Sequence, residues 1–145
     1  MNSLKKPICV ARGLNHIGIA VKNIEATLEF YRFLFGLEPG QIKEVVDQGV
    51  RAALIKVGKT QLEIIQPVQD SGSVSRFISN RGEGLHHICL EVENLQATLK
   101  RLDDQGIELI DSSPRDGLSG MIAFLHPSAT KGTLIELIEP DTKNG

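Results

Sequence analysis

The stretch that decides the fold is GLHHICLEV, residues 84–92. Side chains of an extended chain point alternately to two faces. Ile88, Leu90 and Val92 therefore share one apolar face. His87 lies on the opposite, more polar face. The alternation predicts a β-strand that is buried on one side and carries a histidine on the other.

The same pattern occurs 71 positions earlier, in LNHIGIAV at residues 14–21. When residues 14–28 are laid on residues 85–99, eight of the fifteen positions are identical, and His16 falls on His87. Such a density of identities indicates an internal repeat. We therefore expect two copies of one supersecondary unit.

The first copy is expected to span residues 13–67. After its first strand, apolar residues recur at helical spacing over residues 24–35, with Asn23 as a candidate N-cap and Gly36 as the stop. The pattern then predicts three short strands, at residues 41–46, 50–57 and 60–66. This copy thus has the order β-α-β-β-β.

The second copy is expected to span residues 85–140 with the same order, after a linker at residues 68–84 that contains a short helix. Its helix begins after Asn94, and the loops are expected at residues 112–120 and 127–132. Its later strands are expected at residues 108–111, 121–125 and 133–139. Two tandem modules predict an α+β domain in which one curved mixed sheet surrounds a shared site.

Composition narrows the function classes. A net charge of −2 gives no electrostatic reason to expect nucleic acid or an anionic membrane as a partner. No apolar run approaches the ~20 residues of a membrane span. Cys9 and Cys89 form no closely spaced pair, and the first residues lack the features of a signal peptide, so we expect a reducing, cytoplasmic setting.

Each copy carries a histidine on its first strand and a glutamate on its last. The pairs are His16 with Glu63 and His87 with Glu136. If these four groups meet in a buried place, the desolvated carboxylates repel each other and would be protonated, unless a cation compensates their charge. A lone strand histidine is more often a core residue, but repetition at matched positions favours a site for Zn²⁺, Mn²⁺, Co²⁺, Ni²⁺ or Fe²⁺.

The surroundings of these residues allow further expectations. Gly18 and Cys89 are small and lie on the histidine faces, so we expect space for a ligand there. His86 should point to the opposite face of its strand from His87, and its role is either structural or to support the neighbouring ligand residues. The polar loop that contains His126 and Lys131 is either a solvated hairpin turn or a lid that contacts a charged substrate.

Four phrases resemble one known superfamily: LNHIGIAV (14–21), GLHHICLEV (84–92), FLHP (124–127) and GTLIEL (132–137). The chain is similar, over about residues 13–140, to the vicinal oxygen chelate superfamily, which includes glyoxalase I, extradiol dioxygenases and antibiotic-resistance proteins. Within it, the likeness is greatest to the methylmalonyl-CoA epimerase family.

This resemblance implies a cup-shaped fold around a divalent metal, with Co²⁺ or Mn²⁺ as the typical ion and Zn²⁺ or Ni²⁺ as alternatives. It implies interconversion of the (2R) and (2S) epimers of the acyl-CoA substrate, by removal of the C2 proton through a metal-stabilised enolate, and commonly a homodimer. The implied metal ligands are His16, Glu63, His87 and Glu136.

Epimerisation needs an acid and a base on opposite faces of the substrate. Glu136 is the expected catalytic residue for one face. Some members of the family carry a second glutamate shortly after a Gln-Gly-Val phrase, but here Ala52 and its neighbours follow that phrase. For the other face, Glu44, Asp47 and Glu63 all remain candidates.

Three other functions are compatible with parts of the pattern. A glyoxalase I-type lactoylglutathione lyase would use the same metal chemistry on a hemithioacetal and is the main alternative. A sequestering protein of the resistance type usually lacks a full ligand set. A dioxygenase would typically use two histidines and one glutamate with Fe²⁺, so a fourth ligand at Glu63 disfavours it.

Overall fold

A computed structural model describes residues 5–141 of the chain, and within this range there are eight β-strands and three α-helices. The strands are β1 (Gly13–Ala20), β2 (Lys43–Val45), β3 (Val50–Val57), β4 (Thr60–Pro67), β5 (Gly84–Glu91), β6 (Arg115–Asp116), β7 (Gly120–Leu125) and β8 (Ile135–Pro140). The helices are α1 (Ile24–Phe35), α2 (Ser73–Arg81) and α3 (Leu95–Asp104). The predicted α+β class is confirmed.

The chain forms two compact units. The first unit comprises residues 15–89, and the second unit comprises residues 5–14 together with 90–141. The division into modules 13–67 and 85–140 with a linker stays a prediction. Among the helices of residues 5–141, none combines the length and the apolar character needed to cross a lipid bilayer.

In the first unit the strand order is β2-β3-β4-β1-β5. β3 and β4 form an antiparallel hairpin that turns at Gly58, whose φ of 62° lies in the left-handed region that glycine tolerates. β1 joins β4 in parallel, with Gly18 opposite Glu63. In the second unit β7 lies between β8 and β6, and both pairings are antiparallel.

The repeat is visible in how the two long helices begin. Asn23 Oδ1 accepts a hydrogen bond from the backbone N–H of Ala26 at 3.0 Å, and Asn94 Oδ1 accepts one from Ala97 at 3.1 Å. The first N–H groups of a helix have no partner within the helix, so these caps stabilise its start. Both predicted N-caps are confirmed.

A second capping contact comes from the strand that ends each copy. Gln66 Oε1 on β4 accepts a hydrogen bond from the N–H of Ile24 at 2.8 Å. Glu139 Oε1 on β8 accepts the corresponding bond from Leu95 at 2.7 Å. These two side chains occupy equivalent positions in the repeat, so each helix start is tied to its own last strand.

The helices α1 and α3 each cover a separate apolar cluster. Ile64 of β4 lies beneath α1 and Leu137 of β8 lies beneath α3, as expected for the face opposite the glutamates. The cluster of the first unit contains Val21, Ile24, Leu28, Ala53, Ile55 and Ile64. That of the second unit contains Val92, Leu95, Leu99, Leu102, Ala123, Leu125 and Leu137. Burial of these faces fixes which strand side chains remain for the site.

The second copy departs from the predicted strands in one place. A strand was expected at residues 108–111, but Leu109 makes only an isolated bridge to Leu125. The carboxylate of Asp111 accepts the backbone N–H of Phe124 at 2.9 Å. The backbone N–H groups of Ile110 and Asp111 both donate to the carbonyl of Phe124, so the segment contacts β7 without forming a regular ladder.

The loops of the second copy also contain short regular structure. β6 lies within the predicted loop at 112–120. In the loop at 127–132, Pro127–Thr130 forms one turn of 3-10 helix, with the His126 side chain accepting from the N–H of Ser128. Proline suits the first position of such a turn because its missing N–H is not needed there.

Candidate metal centre

Three buried residues with metal-binding side chains lie together in the first unit. They are His16 on β1, Glu63 on β4 and His87 on β5, with 2%, 8% and 5% of their surfaces exposed. Histidine and glutamate are seldom so deeply buried unless they are paired or bind a cation. The structure thus brings these three predicted ligands together within the first unit.

The three side chains converge through specific atoms. His16 Nε2 lies 3.2 Å from His87 Nε2. Each of these nitrogens lies 3.5 Å from Glu63 Oε1. The two imidazole rings are nearly perpendicular, with an interplanar angle of 84°. Two nitrogens and one carboxylate oxygen therefore face one point.

This donor set fits a divalent cation. Imidazole nitrogens bind Zn²⁺, Co²⁺, Ni²⁺, Mn²⁺ and Fe²⁺, and a carboxylate oxygen adds the negative charge that a buried cation needs. Both histidines present the same nitrogen, Nε2, towards the carboxylate. The chemistry of the donors alone does not select one metal from this series.

A polar side chain lies behind each histidine. His16 Nδ1 is 2.7 Å from Asn15 Oδ1, and His87 Nδ1 is 2.8 Å from His86 Nδ1. The expectation that His86 points away from His87 is wrong, because the two neighbouring rings meet through their Nδ1 atoms. The ring of Phe77 contacts His86 edge-on, with centroids 4.8 Å apart.

The expected space beside Gly18 is occupied. A Cβ atom at this position would lie 2.1 Å from Cε1 and 2.3 Å from Nδ1 of His87. Distances below 3.0 Å are incompatible with ordinary packing. Gly18 therefore admits the His87 ring across β1 rather than leaving room for a ligand, which corrects the sequence-based expectation.

Glu136, the fourth predicted ligand, belongs to the second unit. It lies on β8, paired in register with Phe124 of β7, and only 3% of its surface is exposed. The neighbouring Leu137 packs under α3, so alternation places the Glu136 carboxylate on the other face of the strand. It thus occupies the same kind of strand position as Glu63.

The candidates for a second acid or base differ in burial. Glu44 on β2 and Asp47 in the following turn are exposed. Glu63 is buried beside both histidines. Val50 and Ala52, which follow on β3, are buried and carry no titratable group.

The two loop residues proposed for substrate lie in the second unit. His126 contacts Ser128 Oγ through Nδ1 at 2.8 Å, and Ser128 Oγ donates to Glu108 at 3.1 Å. Lys131 is exposed and has a φ of 61°, which is uncommon outside glycine. The loop is therefore held by its own hydrogen bonds, with Lys131 at its exposed end.

Sequence reasoning missed the roles of Asn15 and Gly18, whereas a supporting role was one of the two alternatives left open for His86. A signal for Asn15 was present, because Asn15 and His86 occupy equivalent positions immediately before the two histidines. Both side chains can accept a hydrogen bond from an imidazole. For Gly18 the sequence held no such signal, since the clash involves a ring from a strand that lies far away in the chain.

Comparison with known proteins connects this geometry to a family. Residues 15–125 match the Glyoxalase/Bleomycin resistance protein/Dioxygenase superfamily. The ethylmalonyl-CoA/methylmalonyl-CoA epimerase of Cereibacter sphaeroides is 36% identical over 127 residues, which cover 86% of this chain and 95% of that protein.

Solved structures agree along nearly the whole chain. The methylmalonyl-CoA epimerase of Mycobacterium tuberculosis superimposes with a TM-score of 0.88 and 32% identity, covering 96% of this chain and 95% of that one. A variant of the Streptomyces coelicolor methylmalonyl-CoA epimerase, in complex with 2-nitronate-propionyl-CoA, gives a TM-score of 0.87 and 32% identity, covering 92% and 97%.

Proposed function

The chain belongs to the Glyoxalase/Bleomycin resistance protein/Dioxygenase superfamily, and we propose that it is a metal-dependent epimerase of methylmalonyl-CoA. The observation that carries this proposal is the convergence of His16, His87 and Glu63 at 3.2–3.5 Å in a buried place. The similarity to proteins named as epimerases favours this reaction over the glyoxalase I-type lyase.

We propose four metal ligands, with Nε2 as the binding atom of each histidine. Glu136 is included because it is the repeat counterpart of Glu63 and is buried on the corresponding last strand. Co²⁺ or Mn²⁺ is the proposed ion, and Zn²⁺ or Ni²⁺ would suit the same donors. The proposed ligands are His16, Glu63, His87 and Glu136.

The proposed reaction makes simple demands on the residues. The C2 proton of methylmalonyl-CoA lies between a thioester and a carboxylate, so its removal gives an enolate. A bound divalent cation would supply charge stabilisation for the oxygens on which that negative charge develops. Glu136 is proposed to take the proton from C2, or to return it, on one face of the substrate.

The charged parts of the substrate need a partner at the rim of the site. We propose that Lys131 and His126 contribute to substrate binding from the 126–132 loop. The support is that Lys131 is exposed at the end of a loop whose shape is fixed by hydrogen bonds. A cation held in place by such a loop attracts carboxylate or phosphate groups.

Assembly and location follow from the resemblance and the composition. We propose a homodimer, as the resemblance to the epimerases implies, and a cytoplasmic location, as the composition implies. Cys9 and Cys89 are thiols rather than a disulfide, which is compatible with a reducing compartment. Sedimentation of the purified protein would test the dimer, since a single species at the mass of one chain would contradict it.

The reaction class is tested by proton NMR of methylmalonyl-CoA in deuterated buffer. We expect the C2 proton signal to disappear, and the methyl doublet to collapse, only when enzyme and metal are both present. The metal with substrate alone is the control. An unchanged spectrum, together with turnover of a glutathione hemithioacetal, would replace the epimerase by the lyase.

A further inference from the structure

The residue immediately before each ligand-type histidine contacts that histidine through the ring nitrogen that faces away from Glu63. In the first copy the contact is Asn15 Oδ1 with His16 Nδ1 at 2.7 Å. In the second copy it is His86 Nδ1 with His87 Nδ1 at 2.8 Å. Different side chains therefore occupy the same place in the two halves of the repeat.

The proton of a neutral imidazole sits on one ring nitrogen, and a cation binds the other. Here the Nε2 atoms face Glu63 at 3.5 Å, so binding there requires the proton on Nδ1. An amide oxygen only accepts hydrogen bonds, so Asn15 Oδ1 favours the Nδ1–H form of His16. His86 favours the same form of His87 when its own proton lies on Nε2.

We propose that Asn15 and His86 are positioning residues that set the protonated nitrogen and the ring orientation of the two metal ligands. This inference rests on the proposed metal centre. Partners of this kind raise the affinity of a histidine for its metal, and their loss typically weakens binding by about 10- to 100-fold. Their equivalent places in the repeat indicate one shared role rather than two accidental contacts.

The edge contact with Phe77 supports the orientation of His86. The two ring centroids lie 4.8 Å apart with an interplanar angle of 76°. This contact restricts the His86 ring and keeps its Nδ1 towards His87. The side chain of Asn15 is short and has few rotatable bonds, so its amide oxygen also has a narrow range of positions.

Because Asn15 and His86 occupy equivalent positions, the proposal can be tested by placing the side chain of one copy in the other and measuring binding of Co²⁺ alone. Affinity is measured by competition with a chelator on the full chain. His86→Leu and Asn15→Leu should each weaken Co²⁺ binding by about 10- to 100-fold. His86→Asn gives the second copy the acceptor that the first copy already has, so its affinity should stay within about threefold of wild type. Asn80→Leu, at an exposed position on α2, is the control and should not change affinity.

Thermal unfolding of each metal-free variant separates positioning from folding. The inference is supported if His86→Leu loses affinity while His86→Asn keeps it and both unfold near the wild-type temperature. Wild-type affinity in His86→Leu would overturn it. Equal losses in His86→Asn and His86→Leu would also overturn it, because a retained acceptor would then have no value. The ratio of variant to wild-type affinity tests positioning, whereas the wild-type affinity itself tests the metal centre.

Discussion

The two copies of the repeat agree at the positions that hold the helices and differ beside the histidines. Asn23 and Asn94 cap their helices through the same contact, in which the side-chain oxygen accepts an N–H three residues later. By contrast, Gly18 in the first copy corresponds to Cys89 in the second. The helix caps are therefore the same in both copies. The residues around the histidines differ, because the His87 ring packs against Gly18 of β1.

The largest expected effect comes from replacing His16 or His87, which occupy equivalent positions in the two copies. His16→Ala and His87→Ala should each abolish turnover of methylmalonyl-CoA, because each removes one of the two nitrogens that face Glu63. Steady-state assays with added Co²⁺ would measure this, and circular dichroism would check the fold. Wild-type rates in either folded variant would remove that residue from the site.

The next largest effect is expected at Gly18, where substitution should be more harmful than at Cys89, the equivalent residue of the second copy. Gly18→Ala places a methyl carbon 2.1 Å from His87 Cε1, so the ring must move. We expect Co²⁺ affinity to fall by at least about tenfold and the free energy of unfolding to fall by about 1–3 kcal/mol.

Cys89→Ala is the matched control for Gly18→Ala. It removes one buried atom from the equivalent strand position, which should cost about 1 kcal/mol of stability and leave Co²⁺ affinity unchanged. Equal affinities in the two variants would contradict the assigned role of Gly18. Chelator competition and urea unfolding provide the two measurements.

The hairpin ends of the two copies provide a smaller test. Lys131 ends the 126–132 loop, and Lys59 lies in the short β3–β4 turn of the other copy. Lys131→Ala should raise the KM for methylmalonyl-CoA about fivefold with kcat nearly unchanged, as expected for the loss of one exposed charge contact. Lys59→Ala should change neither constant. Identical kinetics in both variants would exclude Lys131 from substrate binding.

The smallest effect concerns the caps, where the copies resemble each other most. Asn23→Ala should lower the free energy of unfolding by about 1 kcal/mol. Asn94→Ala should cost about 1 kcal/mol more, because Asn94 has a φ of 43° and alanine tolerates that region poorly. Asn94→Gly should recover part of the loss. Urea unfolding that ranks Asn23→Ala as the more harmful change would contradict this difference.

The features that were predictable from the sequence depend on local signals. Asn23 and Asn94 precede apolar helical patterns, and Gly58 separates two alternating runs, so the caps and the hairpin follow from short stretches of chain. The histidines on β1 and β5 were also predictable, because the same alternating pattern with a histidine at the same position occurs in both copies of the repeat.

The features that were not predictable depend on contacts between distant segments. The His87 ring fills the volume beside Gly18 although 69 positions separate the two residues. The carboxylate of Asp111 accepts the N–H of Phe124, and an isolated bridge forms where the pattern favours a strand. No periodicity in the sequence reports either event, since each depends on where a side chain ends rather than on where the backbone runs.

The most direct test of the metal centre is the metal content of the purified chain. After incubation with Co²⁺ or Mn²⁺ and removal of unbound ions, elemental analysis should find about one divalent ion per chain. The His16→Ala protein, treated in the same way, should retain much less. A wild-type chain that neither carries nor acquires a divalent ion would contradict the account.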